Sequence, residues 1–123
     1  MKILLDTHIA IWALYDSSKL PSDISKYLLD YDNEIYYSLV SAWEIEIKHN
    51  VGKLMISAEE FMSNADSAGL NFLPITKKHI ARLSDLPIKD DHRDPFDRML
   101  ISQSIVENML LLTVDEKVRQ YLN

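Results

Sequence analysis

The chain has 123 residues, and its 13 Lys and Arg against 19 Asp and Glu give a net charge of −6. This length suits one ordinary domain, and we expect residues 1–123 to form a single domain around one core. The absence of cysteine excludes disulfides and thiolate metal sites, and fits the reducing cytoplasm. The acidic balance argues against a simple nucleic-acid-binding module. No apolar run is long enough for a signal peptide or a membrane span.

Apolar runs alternate with helical patterns along the chain. Four runs predict strands at residues 2–5, 34–40, 70–75 and 109–114. Spacing and cap residues predict helices at residues 7–15, 22–31, 41–50, 57–68, 76–86, 94–108 and 116–122. The first and last strands are continuously apolar, as in strands covered on both faces of a parallel sheet. The sequence therefore predicts an α/β domain with a mainly parallel sheet.

Helical spacing also predicts which side chains face the core. We interpret Trp12 and Trp43 as packing residues and expect Ile105 to point inward. Three serines stand where helix caps are favoured, Ser22 after a proline, and Ser41 and Ser57 each in capping-box spacing before a glutamate.

Four acidic residues fall where strands end or helices begin. Asp6 ends the first predicted strand and Asp115 follows the last one. Glu44 lies in the first predicted turn after the second strand, and Asp97 in the first turn after the loop at 87–93. Ligands of open parallel sheets bind beyond the carboxyl ends of the strands, where the next helices begin. We therefore expect all four acids to converge on one edge of the sheet.

Such a cluster of carboxylates calls for a cation. The four negative charges would repel one another, and burial would increase the penalty. Hard oxygen ligands without cysteine favour Mg²⁺ or Mn²⁺ over zinc. A bound ion of this kind activates a water and neutralises charge on a phosphoryl group. The predicted chemistry is hydrolysis of a phosphodiester, with the four acids as metal ligands and catalytic residues.

Each acid also has a structural interpretation that the spacing leaves open. Glu44 can pair with Lys48 one turn later, for only about 0.2–0.5 kcal/mol. Asp94 is a natural N-cap before Pro95, which places Asp97 in the favoured first turn of a helix. These interpretations explain the acids singly but not their convergence on one edge.

Other side chains near the acids are candidates for supporting roles. Thr7 and Thr113 could orient a water or ligand, or only form hydrogen bonds at strand ends. Neither His8 nor His92 is assigned a catalytic role. The basic residues beside the acids could contact phosphate or lie on a solvated face, and they are Lys48, Lys53, Arg93 and Arg98. Exposed-looking tyrosines could line a partner interface or pack in the core, and they are Tyr27, Tyr31, Tyr36 and Tyr37.

Four segments together resemble the PIN-domain ribonucleases, and especially the VapC-type toxins of bacterial toxin–antitoxin modules. They occur in the family's order and reach from one end of the chain to the other. The segments are LLDTHIAIWAL at 4–14, SAWEIEIKHNVGKL at 41–54, HRDPFDRMLISQS at 92–104 and LLTVDEKVRQY at 111–121.

The resemblance implies a PIN-like, three-layer α/β/α fold with a central sheet of four to five strands. It implies Mg²⁺- or Mn²⁺-dependent endoribonuclease activity, an antitoxin that masks the site, and a homodimer. Carried over residue by residue, Asp6, Glu44, Asp97 and Asp115 match the four family acids in order. Family members cut tRNA or other structured RNAs, and the motifs do not encode which.

Three other classes of protein compete with the nuclease. A phosphoacceptor receiver domain needs paired acids after the first strand and a Lys after the last, where this chain has Asp6 alone and Asp115. A haloacid-dehalogenase-type phosphatase needs a second Asp two residues after the first, where this chain has His8. A non-enzymatic subunit that keeps the fold and only binds partners would not need the complete set of acids.

Overall fold

A parallel sheet forms the centre of the computed structural model, which describes residues 1–88 and 94–119. Its strands are β1 (Lys2–Leu5), β2 (Glu34–Ser38), β3 (Asn71–Leu73) and β4 (Leu110–Leu112). The α-helices are α1 (Thr7–Tyr15), α2 (Ser22–Leu29), α3 (Leu39–Asn50), α4 (Ala58–Ser67), α5 (Lys77–Arg82), α6 (Pro95–Glu107) and α7 (Glu116–Arg119). Short 3₁₀ turns at Ser17–Lys19 and Leu83–Asp85 add to these. In these two ranges no helix is both long and apolar enough to span a bilayer.

The four strands lie in the order β3-β2-β1-β4, and all neighbours pair in parallel. β1 is central, with Ile3 opposite Ile35 on one side and opposite Leu110 on the other. The predicted α/β fold with a parallel sheet is confirmed. β1 has the predicted bounds, and the other three strands are shorter than predicted because their apolar runs continue into the residues that flank them, as in β2, which passes directly into α3.

Alternate side chains of β1 enter two cores, one on each face of the sheet. Ile3 and Leu5 pack into the first core, and Leu4 packs into the second. The first core also takes apolar residues from α1, α2, α3 and α4, and the second from α6 and α7. All three β1 side chains are fully buried, and each contributes about 1.5–3 kcal/mol to folding. The sheet is therefore the middle of three layers, as expected for a PIN-like fold.

Two predicted helix caps are confirmed and two are wrong. Ser57 caps α4 through the Glu60 N–H, and Asp94 caps α6. The first residue of α2 is Ser22 itself, so its side chain makes no cap bond. Ser41 lies inside α3, because Ser38 already caps this helix through the Val40 N–H at 3.0 Å.

Predictions of burial were right for Trp12 and wrong for Trp43 and Ile105. Trp12 packs against the first core. Trp43 is 56% exposed and Ile105 is 38% exposed. The side of α3 that is buried is a different one, and it includes Val40 and Ile45. A helix with two apolar sides gives a periodicity that does not reveal which side is buried.

Candidate functional site

The carboxyl end of β1 places Asp6 in a buried corner beside β4. The Asp6 N–H donates to the Leu112 carbonyl at 3.1 Å, and only 6% of the residue is exposed. The Thr113 hydroxyl donates to Asp6 Oδ2 at 2.5 Å and accepts from the Asp115 N–H at 3.0 Å. Because the Thr113 oxygen accepts from the Asp115 N–H, its own proton is directed to Asp6. This hydrogen bond fixes the orientation of the Asp6 carboxylate.

Burial raises the pKa of Asp6 above its ordinary value of 3.8. The Thr113 hydrogen bond and the charge of His8 oppose this shift of the pKa, while the negative charge of Glu44 adds to it. A carboxylate whose pKa is raised by folding destabilises the folded state once it ionises. At neutral pH this corner is therefore strained electrostatically, and a bound cation would relieve it.

Glu44 is the second buried acid, and its two oxygens differ. It lies in the second turn of α3, one turn later than predicted, because the helix begins at Leu39. The residue is 7% exposed, and Oε2 accepts from Lys48 Nζ at 2.9 Å. Oε1 is buried and has no hydrogen-bond partner within residues 1–88 and 94–119. Buried carboxylate oxygens in native structures usually have a partner, which can be an ordered water or a cation.

A hydrogen bond between Thr7 and Ser41 helps to fix α3 against α1. Their hydroxyl oxygens are 2.9 Å apart and buried. Thr7 follows Asp6 directly, and Ser41 lies one turn before Glu44 on the same helix. The contact therefore links the elements that carry the two buried acids. For Thr7 this matches the simpler of its two predicted roles.

Asp97 lies in the first turn of α6, as predicted. Asp94 Oδ1 accepts from the Phe96 and Asp97 N–H groups at 2.9 and 3.0 Å, which caps the helix. The rings of Trp43 and Phe96 meet edge to face with centroids 5.0 Å apart. Because these rings are the chain neighbours of Glu44 and Asp97, the contact brings the starts of α3 and α6 together. Asp97 and Asp115 are both half-buried.

The arrangement fits a hydrated divalent ion better than a closed cage of ligands. In the described part of the chain, no three acidic or histidine side chains lie close enough to share one metal ion. Mg²⁺ is commonly held by one or two carboxylates, and it keeps several of its waters. Asp6 and the unsatisfied oxygen of Glu44 provide such a pair. Asp115 lies between β4 and α7, and Asp97 lies in the first turn of α6, at the same edge of the sheet.

The predicted basic residues have different environments. Lys48 pairs with Glu44, and Lys53 is exposed in the turn after α3. The guanidinium of Arg98 donates to the carbonyls of Pro87 and Leu86 at 2.6 and 3.1 Å, so it takes part in holding the chain before α6. His92 and Arg93 lie outside the described residues.

A buried polar network around Gln103 was not predicted from the sequence. Ser38 donates to Gln103 Oε1 at 2.6 Å, and Gln103 Nε2 lies 3.3 Å from His79 Nδ1. Because the Thr76 N–H also donates to Nδ1, the His79 proton lies on Nε2, which meets Glu107 at 2.7 Å. The only signal in the sequence was a glutamine three residues after Leu100, on the core-facing side of α6.

The fold and the site together define a class of protein, an α/β domain with buried carboxylates beyond the carboxyl ends of parallel strands. The PIN domain model matches residues 3–121. The chain therefore belongs to the PIN-domain family. No curated protein sequence matches it.

Three solved structures share this fold with low sequence identity. VapBC2 from Rickettsia felis, bound to a DNA fragment from its promoter, has 21% identity and a TM-score of 0.66, over 98% of this chain and 93% of that one. DNA-bound VapBC from Salmonella typhimurium has 14% identity and a TM-score of 0.65, over 98% and 91%. VapBC-1 from nontypeable Haemophilus influenzae has 18% identity and a TM-score of 0.65, over 99% and 92%.

Proposed function

We propose that this chain is a Mg²⁺- or Mn²⁺-dependent endoribonuclease that acts as the toxin of a toxin–antitoxin pair. The observation that carries the proposal is the buried Glu44 Oε1 without a partner in the described residues, in an acid set shared with Asp6. PIN-domain membership supports nuclease chemistry. In this proposal residues 1–123 are one nuclease domain, which acts in the cytoplasm.

The roles of the acids follow from their environments. Asp6 and Glu44 would hold the ion, and Thr113 keeps the Asp6 carboxylate in one orientation. Asp97 and Asp115 would complete the ligand set. When bound, such an ion supplies a Lewis acid and a water that ionises near neutral pH. The buried corner of Asp6 keeps bulk water away from the carboxylate, which strengthens its electrostatic interactions.

RNA is the proposed substrate, with tRNA or another structured RNA as the target. An acidic protein lacks a general attraction for phosphate. Its contact with RNA therefore depends on the bound ion and on the few basic groups beside the acids, among them Lys48 and Lys53. This predicts strong dependence of RNA binding on divalent ions.

Two protein partners belong to the proposal. The solved structures similar to this chain are of VapBC proteins, which supports an antitoxin partner. A homodimer is supported by an exposed apolar stripe on α3 with one residue per turn, Leu39, Trp43, Ile47 and Val51. A helix stripe of this kind can pack against its own copy across a two-fold axis. The molar mass in solution, measured for the wild-type chain and for Trp43→Glu, tests the dimer.

The alternatives gain no support from the sheet. A receiver domain needs a phosphorylated Asp after a middle strand, but β2 ends in Ser38 and β3 in Leu73. A PIN-like subunit that only binds partners would show no divalent-ion binding at the acids. It would also show no cleavage of any RNA.

The experiment that tests the function is cleavage of total RNA by the purified chain with Mg²⁺, with Mn²⁺ and with a chelator. We expect cleavage with either ion, and a loss of about 100-fold or more in Asp6→Asn and in Asp97→Asn. Asp16→Asn is the matched control, because Asp16 follows α1 at its other end, away from the acids. Cleavage that survives in Asp6→Asn would refute the site. Growth arrest on expression, lost in the same variants, tests the toxin role.

A further inference from the structure

Lys48 stands between the buried acids and solvent. It follows Glu44 by one turn of α3, and its Nζ lies 2.9 Å from Glu44 Oε2. The lysine side chain is 36% exposed, whereas that of Glu44 is 9% exposed. The ammonium group thus covers the solvent side of a carboxylate whose other oxygen is buried.

Two buried acids share one lysine at this corner. Asp6 and Glu44 interact electrostatically, and Lys48 is the ion-pair partner of Glu44. The charge of His8 acts on Asp6 as well, but the ammonium group of Lys48 is the one in contact with Glu44. Lysine already performs part of the neutralisation that a divalent ion would perform.

We propose that Lys48 is an exchangeable counter-ion of the acid site: it neutralises Glu44 when no divalent ion is bound, and it turns to a phosphate of RNA when one is. The inference rests on the proposed function and adds a role for a residue outside the acid set. The geometry supports exchange because lysine is a point charge on a flexible stem of four carbons. The Lys48 side chain is 36% exposed, so its ammonium group can move into solvent when a cation takes its place beside the buried Glu44.

The exchange has two measurable consequences. While it pairs with Glu44, Lys48 repels an incoming divalent ion and lowers its affinity. After the ion binds, repulsion between like charges favours movement of the ammonium away from Glu44, where an RNA phosphate can accept it. A purely structural helix pair, of the kind common between Glu and Lys one turn apart, would also repel the ion but would not form a phosphate contact that depends on the ion.

Titration calorimetry with Mn²⁺ tests the first consequence. We expect Lys48→Met to bind Mn²⁺ about tenfold more tightly than the wild type, because a repulsive unit charge close to the site is removed. Lys48→Arg keeps the charge and should stay within about twofold of the wild type. Lys19→Met is the matched control, since it removes the same charge from an exposed ion pair with Asp16, at the end of α1 that lies away from Asp6.

The salt dependence of RNA binding tests the second consequence. The chain carries Asp97→Asn in every arm to prevent cleavage, and the probe is a single-stranded RNA oligonucleotide of mixed sequence. With Mn²⁺ present, log K for RNA binding falls as log salt rises, and we expect this fall to be less steep by about 0.7 in Lys48→Met. A change of this size corresponds to the loss of one phosphate contact. With a chelator present, the slope should not change.

The outcomes separate this inference from the proposed function. If the wild type binds no Mn²⁺, both the metal site and the role of Lys48 are overturned. If the wild type binds Mn²⁺ and Lys48→Met binds it equally well, the exchange is overturned and the nuclease proposal stands. A slope that falls equally with Mn²⁺ and with chelator makes Lys48 a constant phosphate contact, which also overturns the exchange.

Discussion

Two buried polar regions flank the carboxyl end of the sheet, and they differ in how well their groups are satisfied. In the network of Ser38, Gln103 and His79, donors meet acceptors at 2.6 to 3.3 Å. In the acid pair of Asp6 and Glu44, burial raises one pKa and leaves one oxygen without a partner in the described residues. Folding alone accounts for the first region. The second is where the proposed function places a cation.

The contrast shows how one sheet edge supports both stability and function. The network joins β2, α5 and α6 with hydrogen bonds, and polar groups that are fully paired can be buried at little cost. The acids concentrate negative charge instead, which weakens the fold until a ligand binds. Sites of catalysis commonly show such electrostatic strain.

The largest expected effect is loss of stability when the network is broken. Gln103→Leu keeps the size of the side chain but removes the acceptor of the Ser38 hydroxyl and the donor to the Pro74 carbonyl, while His79 Nδ1 keeps the Thr76 N–H. We expect the free energy of unfolding to fall by about 2–4 kcal/mol, since each unpaired buried group costs about 1–3 kcal/mol. Urea denaturation measures this loss.

The control for this variant is Ser104→Ala. Ser104 is also buried in α6, but its hydroxyl donates only within the helix, to the Ile101 carbonyl at 2.7 Å. We expect this change to cost less than about 1 kcal/mol. Mn²⁺ affinity should stay close to the wild-type value in both variants. Equal loss of stability in the two variants would show that the network has no special weight.

A smaller effect, of opposite sign, is expected at the acids. Asp6→Asn keeps an acceptor for Thr113 and removes the charge that burial disfavours. Because folding raises the pKa of Asp6, the stability of the wild type falls as pH rises from about 3.8 through the folded pKa. With a chelator present, we expect the variant to be more stable at pH 7 and equal to the wild type at pH 3.

Asp16→Asn is the control for the sign of this effect. The Ser18 hydroxyl and Lys19 lower the pKa of Asp16, so its charge stabilises the folded state above the ordinary pKa of 3.8. Removing that charge should therefore slightly destabilise the chain at pH 7. Thermal unfolding across pH 3 to 7 measures both variants. If Asp6→Asn is no more stable than the wild type at pH 7, the electrostatic strain assigned to Asp6 is contradicted.

The part of this structure that depends on local sequence patterns could be predicted from the sequence. The continuous apolar run of β1 and the cap formed by Asp94 depend on local rules, and both were predicted correctly. The two apolar sides of α3 could not be ranked locally, so Trp43 was placed in the core although it is 56% exposed. Only the packing of other elements decides between such sides.

The candidate site shows the same division. The positions of Asp6 and Asp97 at an edge of the sheet follow from the order of strands and helices. The hydrogen bond from Thr113 to Asp6 joins residues that are 107 positions apart, and no periodicity reports such a contact. The unpaired oxygen of Glu44 likewise depends on where its side chain lies in the folded chain.

The most direct test of the account is Mn²⁺ titration calorimetry of the wild type beside the double variant Asp6→Asn, Glu44→Gln, with folding checked by circular dichroism. The account predicts saturable binding by the wild type and by the Asp16→Asn control, and no binding by the double variant. Equal binding by the double variant, or none by the folded wild type at millimolar Mn²⁺, would contradict the claim that these two acids form a cation site.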